Sequence, residues 1–166
     1  MKIRIIQIGK NKDKYIDDAA NEFAKRLRAF VEIEIVTLKE RSVSKTFTKE
    51  RAVEEEGTDV LEKIGFGDPA HNHMNLRDFI VVLDEKGKNF SSVEFSKFLR
   101  NQKDVGQNIT FVIGGPYGLS NGVKSHANLI FSMSKLTFTH QMVRIILLEQ
   151  IYRGFCIMAG KEYHNG

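Results

Sequence analysis

The residues best suited to hold a ligand follow two uninterrupted apolar runs. Residues 79–83 lead into Asp84-Glu85-Lys86-Gly87, and residues 109–113 lead into Gly114-Gly115-Pro116-Tyr117-Gly118. Glycines at the second junction let a ligand approach the backbone closely and permit positive φ, while Pro116 stiffens the turn. The segment is neither Gly-x-Gly-x-x-Gly nor a Gly-Lys-Ser/Thr phosphate loop, which disfavours both kinds of phosphate cradle. An ordinary tight strand-to-helix turn explains it equally well. Met133-Ser134-Lys135-Leu136-Thr137-Phe138-Thr139-His140-Gln141 mixes apolar and polar groups without alternation. A loop wrapping an adenine nucleoside needs apolar walls and a few polar groups, and a plain core-facing connection fits the same residues.

Titratable groups add to these loops. His140 and Arg144 are four residues apart and share a helical face with Leu148 and Ile151, so this basic pair needs partners, of which RNA phosphate is one candidate. Arg153 has a simpler partner in Glu149, four residues before it. His71-Asn72-His73 lacks the cysteines or carboxylate pair of a metal set, and no metal is expected. Glu54-Glu55-Glu56 reads most simply as a solvated face, and Cys156 among Phe155, Ile157 and Met158 as a buried, inert thiol.

The elements that must position these groups alternate along the chain. Strands are predicted at 3–8, 31–38, 79–83, 109–113 and 128–132. Helices are predicted from Asp13 to about Phe30, over about 47–64, from the capping box Ser91-Ser92-Val93-Glu94 to about Gln102, briefly near Ser120, and from the N-cap Thr139 to about Ala159. Residues 65–78 and 84–87 read as loops. Glu32 and Glu34 alternate with Val31, Ile33 and Ile35, as on an edge strand. The order predicts one α/β domain over 1–166, with a mostly parallel sheet and helices on both faces. Ligands of such sheets bind beyond the carboxyl ends of the strands, where both candidate loops lie.

With 42% hydrophobic and 28% charged residues the chain can build one core without disulfide staples. Its start carries charge inside the apolar stretch and reads as a strand, not a signal peptide, and no apolar run spans a bilayer. A cytoplasmic protein is expected. The net charge of +4 favours a polyanionic partner, although RNP aromatics, zinc-finger spacing and a basic arm are missing from the sequence. The last helix is apolar over most of its circumference, more than one small sheet can cover, which predicts a homodimer.

Four blocks carry a resemblance to a known family: Phe-Val-Ile-Gly-Gly-Pro-Tyr-Gly-Leu at 111–119, Met-Ser-Lys-Leu-Thr-Phe-Thr-His-Gln-Met-Val-Arg at 133–144, Leu-Leu-Glu-Gln-Ile-Tyr-Arg at 147–153, and Tyr163-His164. With Ile-Ile-Gln-Ile-Gly-Lys at 5–10, the chain resembles the RlmH family of 23S rRNA pseudouridine N3-methyltransferases, of the SPOUT class, over essentially its whole length. It departs from the family in a longer 65–78 loop and in Thr139, where the family usually has proline. The resemblance implies a C-terminal trefoil knot, a homodimer, and S-adenosylmethionine held by Leu83, Gly114, Met133, Ser134, Lys135, Leu136, Thr137 and Phe138. It also implies 23S rRNA within the ribosome as partner, not DNA or membrane. His140, Arg144, Arg153, Tyr163 and His164 are the catalytic candidates in the matching motifs. By itself the terminal heptapeptide reads as a frayed end, whereas the resemblance implies that its aromatic and basic groups serve the RNA. Two other readings are a non-catalytic RNA-binding ribosome-associated factor of the same fold and a nucleotide-dependent oxidoreductase. The missing dinucleotide fingerprint counts against the latter.

Overall fold

Alternation along the strands sorts their side chains onto two faces, and each face is closed by helices. The computed structural model describes residues 1–10, 13–66 and 78–163. His71-Asn72-His73 and His164 therefore lie outside the described residues. The elements are β1 (Lys2–Ile8), α1 (Lys14–Leu27), β2 (Glu32–Leu38), α2 (Lys49–Lys63), β3 (Asp78–Lys88), α3 (Ser92–Asp104), β4 (Asn108–Ile113), α4 (Asn121–Ser125), β5 (Leu129–Phe131) and α5 (His140–Met158). The strands form one sheet in the order β2-β1-β4-β3-β5, and every pairing is parallel.

One face of the sheet carries Ile3, Ile5, Val81, Ile109, Phe111 and Ile113, which pack against buried residues of α1, α3 and α5. The other carries Ile6, Ile8, Ile80, Val82 and Val112, closed by Val60 and Ile64 at α2 and by Val123 of α4. Burying each such side chain contributes roughly 1.5–3 kcal/mol before ordering costs, so this alternation is what fixes the register. β2 is at the edge, as its glutamates predict. Glu32 and Glu34 there meet Lys2 at 3.2 and 2.8 Å.

Local signals set the helix starts. Ser91 and Glu94 form a reciprocal capping box, and the Thr139 hydroxyl accepts from the Met142 amide at 3.3 Å. Thr139 thus caps α5 where proline is usual in the resembled family. The flanks of α5 are covered by α1 and α3, so the sheet is not its sole cover, contrary to the expectation from its apolar circumference. Met142 nonetheless remains 40% exposed.

Two loop and surface assignments are corrected. Residues 84–87 continue β3 and do not leave it as a loop: Lys88 pairs with Phe131, and its carbonyl accepts from the Ser132 amide at 2.9 Å. Gly87 permits this, because a Cβ there would lie 2.7 Å from the backbone of Ile130 and Phe131. Glu56 is not solvated. It is 2% exposed, on the same stripe of α2 as Ala52 and Val60.

Candidate cofactor pocket

The part of β3 that runs past the end of β4, the turn that leaves β4 and the segment after β5 surround a cavity of about 430 Å³. That lies within the range of small-ligand sites. Its walls combine Leu83, Leu119, Phe131 and Val143 with the 114–118 turn, and with Asp84, Ser132, Ser134, Thr137, Lys124 and His140 as polar groups. Seven of the eight predicted cofactor residues line it: Leu83, Gly114, Met133, Ser134, Leu136, Thr137 and Phe138. Lys135 is exposed and does not.

The 114–118 turn is folded by its own hydrogen bond, from the Gly118 amide to the Gly115 carbonyl at 3.1 Å, with Gly118 at φ +83°. A Cβ on Gly114 would lie 2.9 Å from the Gly118 carbonyl carbon and 3.0 Å from Leu119 Cγ. Close packing of the turn upon itself therefore requires glycine at 114, in addition to any ligand behind it. The segment after β5 is folded by the Ser134 hydroxyl, which accepts from the Leu136 amide at 2.9 Å. It is fastened across the cavity by Thr137 Oγ1, which donates to Glu85 Oε2 at 2.9 Å. Leu136 and Phe138 remain 71% and 38% exposed, so apolar surface faces the opening.

Asp84 stands in the cavity wall with the Lys124 ammonium 2.6 Å from Oδ2 and the Lys86 amide 2.9 Å from Oδ1. Burial pushes its carboxyl up, but the Lys124 ammonium and the Lys86 amide together hold it below the usual carboxylate range. It is an anion at neutral pH. The sequence pattern nominates Asp84 with its segment but misses Lys124, because nothing local links residues so far apart. It also misses Phe131 and Val143, which the sequence reads only as apolar residues of a strand and a helix.

The catalytic candidates are not gathered in one place. His140 lines the cavity at the start of α5. Arg144, one turn on, is 1% exposed, and its Nη2 donates to the Gly9 carbonyl at 2.8 Å. The partner shown is thus a backbone carbonyl at the end of β1 and not a phosphate on an open face. Burial lowers the Arg144 pKa while the charge of Asp17 opposes that shift. Arg153 makes the expected ion pair, with Nη2 2.7 Å from Glu149 Oε1. Tyr163 donates to the same oxygen at 3.3 Å, lies edge-on to Tyr152 at 4.9 Å, and has the Arg153 guanidinium over its ring at 5.1 Å. As far as Tyr163 the tail is docked on α5 and not frayed.

The family model described as predicted SPOUT methyltransferase matches residues 1–164. Proteins named ribosomal RNA large subunit methyltransferase H are similar over the full length. That of Caldicellulosiruptor bescii is 43% identical, covering 98% of this chain and 99% of its own. That of Streptococcus pneumoniae is 41% identical, covering 99% and 100%. Among solved structures, a probable methyltransferase from Bordetella pertussis Tohama I superposes with a TM-score of 0.53 at 11% identity, over 92% of this chain and 93% of its own. A probable methylase family protein from Haemophilus influenzae Rd KW20 gives 0.51 at 13%, over 97% and 67%. These two likenesses speak to the fold, whereas the sequence matches run end to end, and on them this chain belongs to the SPOUT methyltransferase family.

Proposed function

We propose that this chain is an S-adenosylmethionine-dependent methyltransferase of large-subunit ribosomal RNA, and that its target is N3 of a pseudouridine in 23S rRNA within the ribosome. The carrying observation is full-length similarity to ribosomal RNA large subunit methyltransferase H at 43% identity, with the cavity falling at the two segments that strand order nominates, one of them within β3. The residues present suit the cofactor: apolar walls for a purine, a turn tight enough to require glycine at 114, and polar groups at the rim. A cavity of this size favours an enzyme over a non-catalytic factor of the same fold. Large-subunit RNA as substrate also means work in the cytoplasm, and none of the described helices is long and apolar enough to cross a membrane.

When bound, the cofactor supplies an electrophilic methyl group on a sulfonium. The chain's task is then to hold donor and base nitrogen in line and exclude water. Leu83, Gly114, Met133, Ser134, Leu136, Thr137 and Phe138 form the binding walls, and Lys135 sits at the outer edge of the same loop. The weakly acidic N3 must lose its proton by the time of attack, which calls for a base or a cation that steadies the anion. His140 at the cavity wall is assigned this proton. Arg144 supports α5 against β1 from behind. Arg153, Tyr163 and His164 are assigned to the RNA, by stacking and phosphate contact.

Incubating ribosomes with methyl-labelled cofactor and mapping the labelled nucleoside tests the assignment. Label on a large-subunit pseudouridine is expected, and a folded enzyme that binds the cofactor yet labels no ribosomal nucleoside would sink it.

A further inference from the structure

Glu56 is a buried acid that lines no part of the cofactor pocket. Its Oε1 accepts from the Arg41 amide at 2.7 Å, while Oε2 is buried with no hydrogen-bond partner among the described residues. Leaving a buried carboxyl oxygen unmet is costly, and an apolar residue of similar size would avoid the cost. What Oε2 faces is the cofactor turn: a Cβ built on Gly115 would lie 3.2 Å from it and 3.1 Å from Ile8 Cγ2. The neighbouring contacts run the same way. A Cβ on Gly57 would collide with Ser120 Oγ, and Lys49 Nζ lies 5.5 Å from the centre of the Tyr117 ring. α2 therefore backs residues 115–120 at three points, and Glu56 is the buried, polar one.

We propose that Glu56 is a positioning residue for methyl transfer, holding the Gly114–Gly118 turn in its binding position from behind while anchoring the chain after β2 through the Arg41 amide. It touches neither cofactor nor base. Burial holds its carboxyl above the usual carboxylate range; the Arg41 amide and guanidinium oppose this, and Glu40 and Asp59 add to it. The raised carboxyl favours the protonated form, whose burial behind the turn costs less than that of a carboxylate.

The inference rests on the cavity being the S-adenosylmethionine site, so the wild-type chain is measured first. Calorimetric titration with S-adenosylmethionine is then repeated on Glu56→Gln, Glu56→Met and Glu56→Asp, each with its thermal midpoint. Gln retains the volume, the acceptor for Arg41 and a donor toward the turn, and should bind within about twofold of wild type. Met fills the space without those groups and Asp withdraws them by one methylene; either should weaken binding about tenfold or more. A purely structural role would lower the midpoint and leave the affinity of the folded protein unchanged, and that result overturns the proposal. If Met does not fold, the affinity of the Asp variant decides between the same two outcomes. Failure of the wild-type chain itself to bind would instead remove the cofactor reading.

Discussion

At Glu56 and Gly114 single atoms decide outcomes that can be measured. The native carboxyl of Glu56 holds its proton at pH values where the unfolded chain has released its own, because burial raises it and Glu40 and Asp59 add to that shift against the opposition of Arg41. Its contribution to stability is thus complete below the ordinary carboxylate pKa and is lost as pH rises to the raised value. Glu56→Gln has no such proton to lose. The melting temperature of wild type relative to the Gln variant should fall as pH rises above the ordinary carboxylate range, and a constant difference would contradict a raised carboxyl. Gly114→Val is expected to abolish S-adenosylmethionine binding in calorimetry while far-UV circular dichroism stays that of a folded chain. The structural cause is the 2.9 Å approach to Gly118, which forces the turn to move before any ligand arrives. Unchanged affinity would take this turn out of the site.

Elements whose signals are local were legible, and those that depend on distant partners were not. Ser91 with Glu94, and Thr139 before an apolar run, announce α3 and α5 because the capping atoms lie within one turn. The extension of β3 to Lys88 was hidden, since its cause is the backbone of Phe131 and Ser132. Glu56 is a different case. Ala52, Glu56 and Val60 recur at four, so the helical period put the acid on the buried stripe while composition, three glutamates in a row, argued for solvent. The close approach of α3 to α5 was equally invisible. Ser96 Oγ donates to the Gly154 carbonyl at 2.8 Å, and a Cβ on Gly154 would lie 2.7 Å from Leu99 Cδ1. Leu99 is fully buried and has little room to yield. Gly154→Ala should therefore destabilise by about 1–3 kcal/mol despite its better helix propensity, lowering the urea midpoint without changing the slope. A more stable variant would show that the two helices separate freely.

Across the described residues, Arg153 and Tyr163, two of the groups assigned to RNA, lie far from the cavity within one chain. His140 lines the cavity at the start of α5, whereas Tyr163 rests on Glu149, Tyr152 and Arg153, nine to thirteen residues further along the helix. At 1.5 Å per residue that separation is about 13 to 20 Å, too long for those side chains to meet a base held beside His140. A second copy that places the end of its α5 at the first copy's cavity removes the distance. It would also account for the exposure of Met142 on a helix otherwise covered by α1, α3 and the sheet. Sedimentation at micromolar concentration should accordingly give about twice the 19.0 kDa chain mass. Sharing of the site is tested by mixing two defective chains: Gly114→Val, which lacks the cofactor turn, and the double variant Arg153→Ala with Tyr163→Ala, which lacks the RNA groups. Each alone should methylate ribosomes at below about a tenth of the wild-type rate. Co-expressed at equal levels they form mixed dimers in half of all pairings, and each mixed dimer has one site assembled from intact halves. Activity should then recover to about a quarter of wild type. If every site is complete within its own chain, the mixture stays as inactive as its components, and Arg153 and Tyr163 act only on their own subunit.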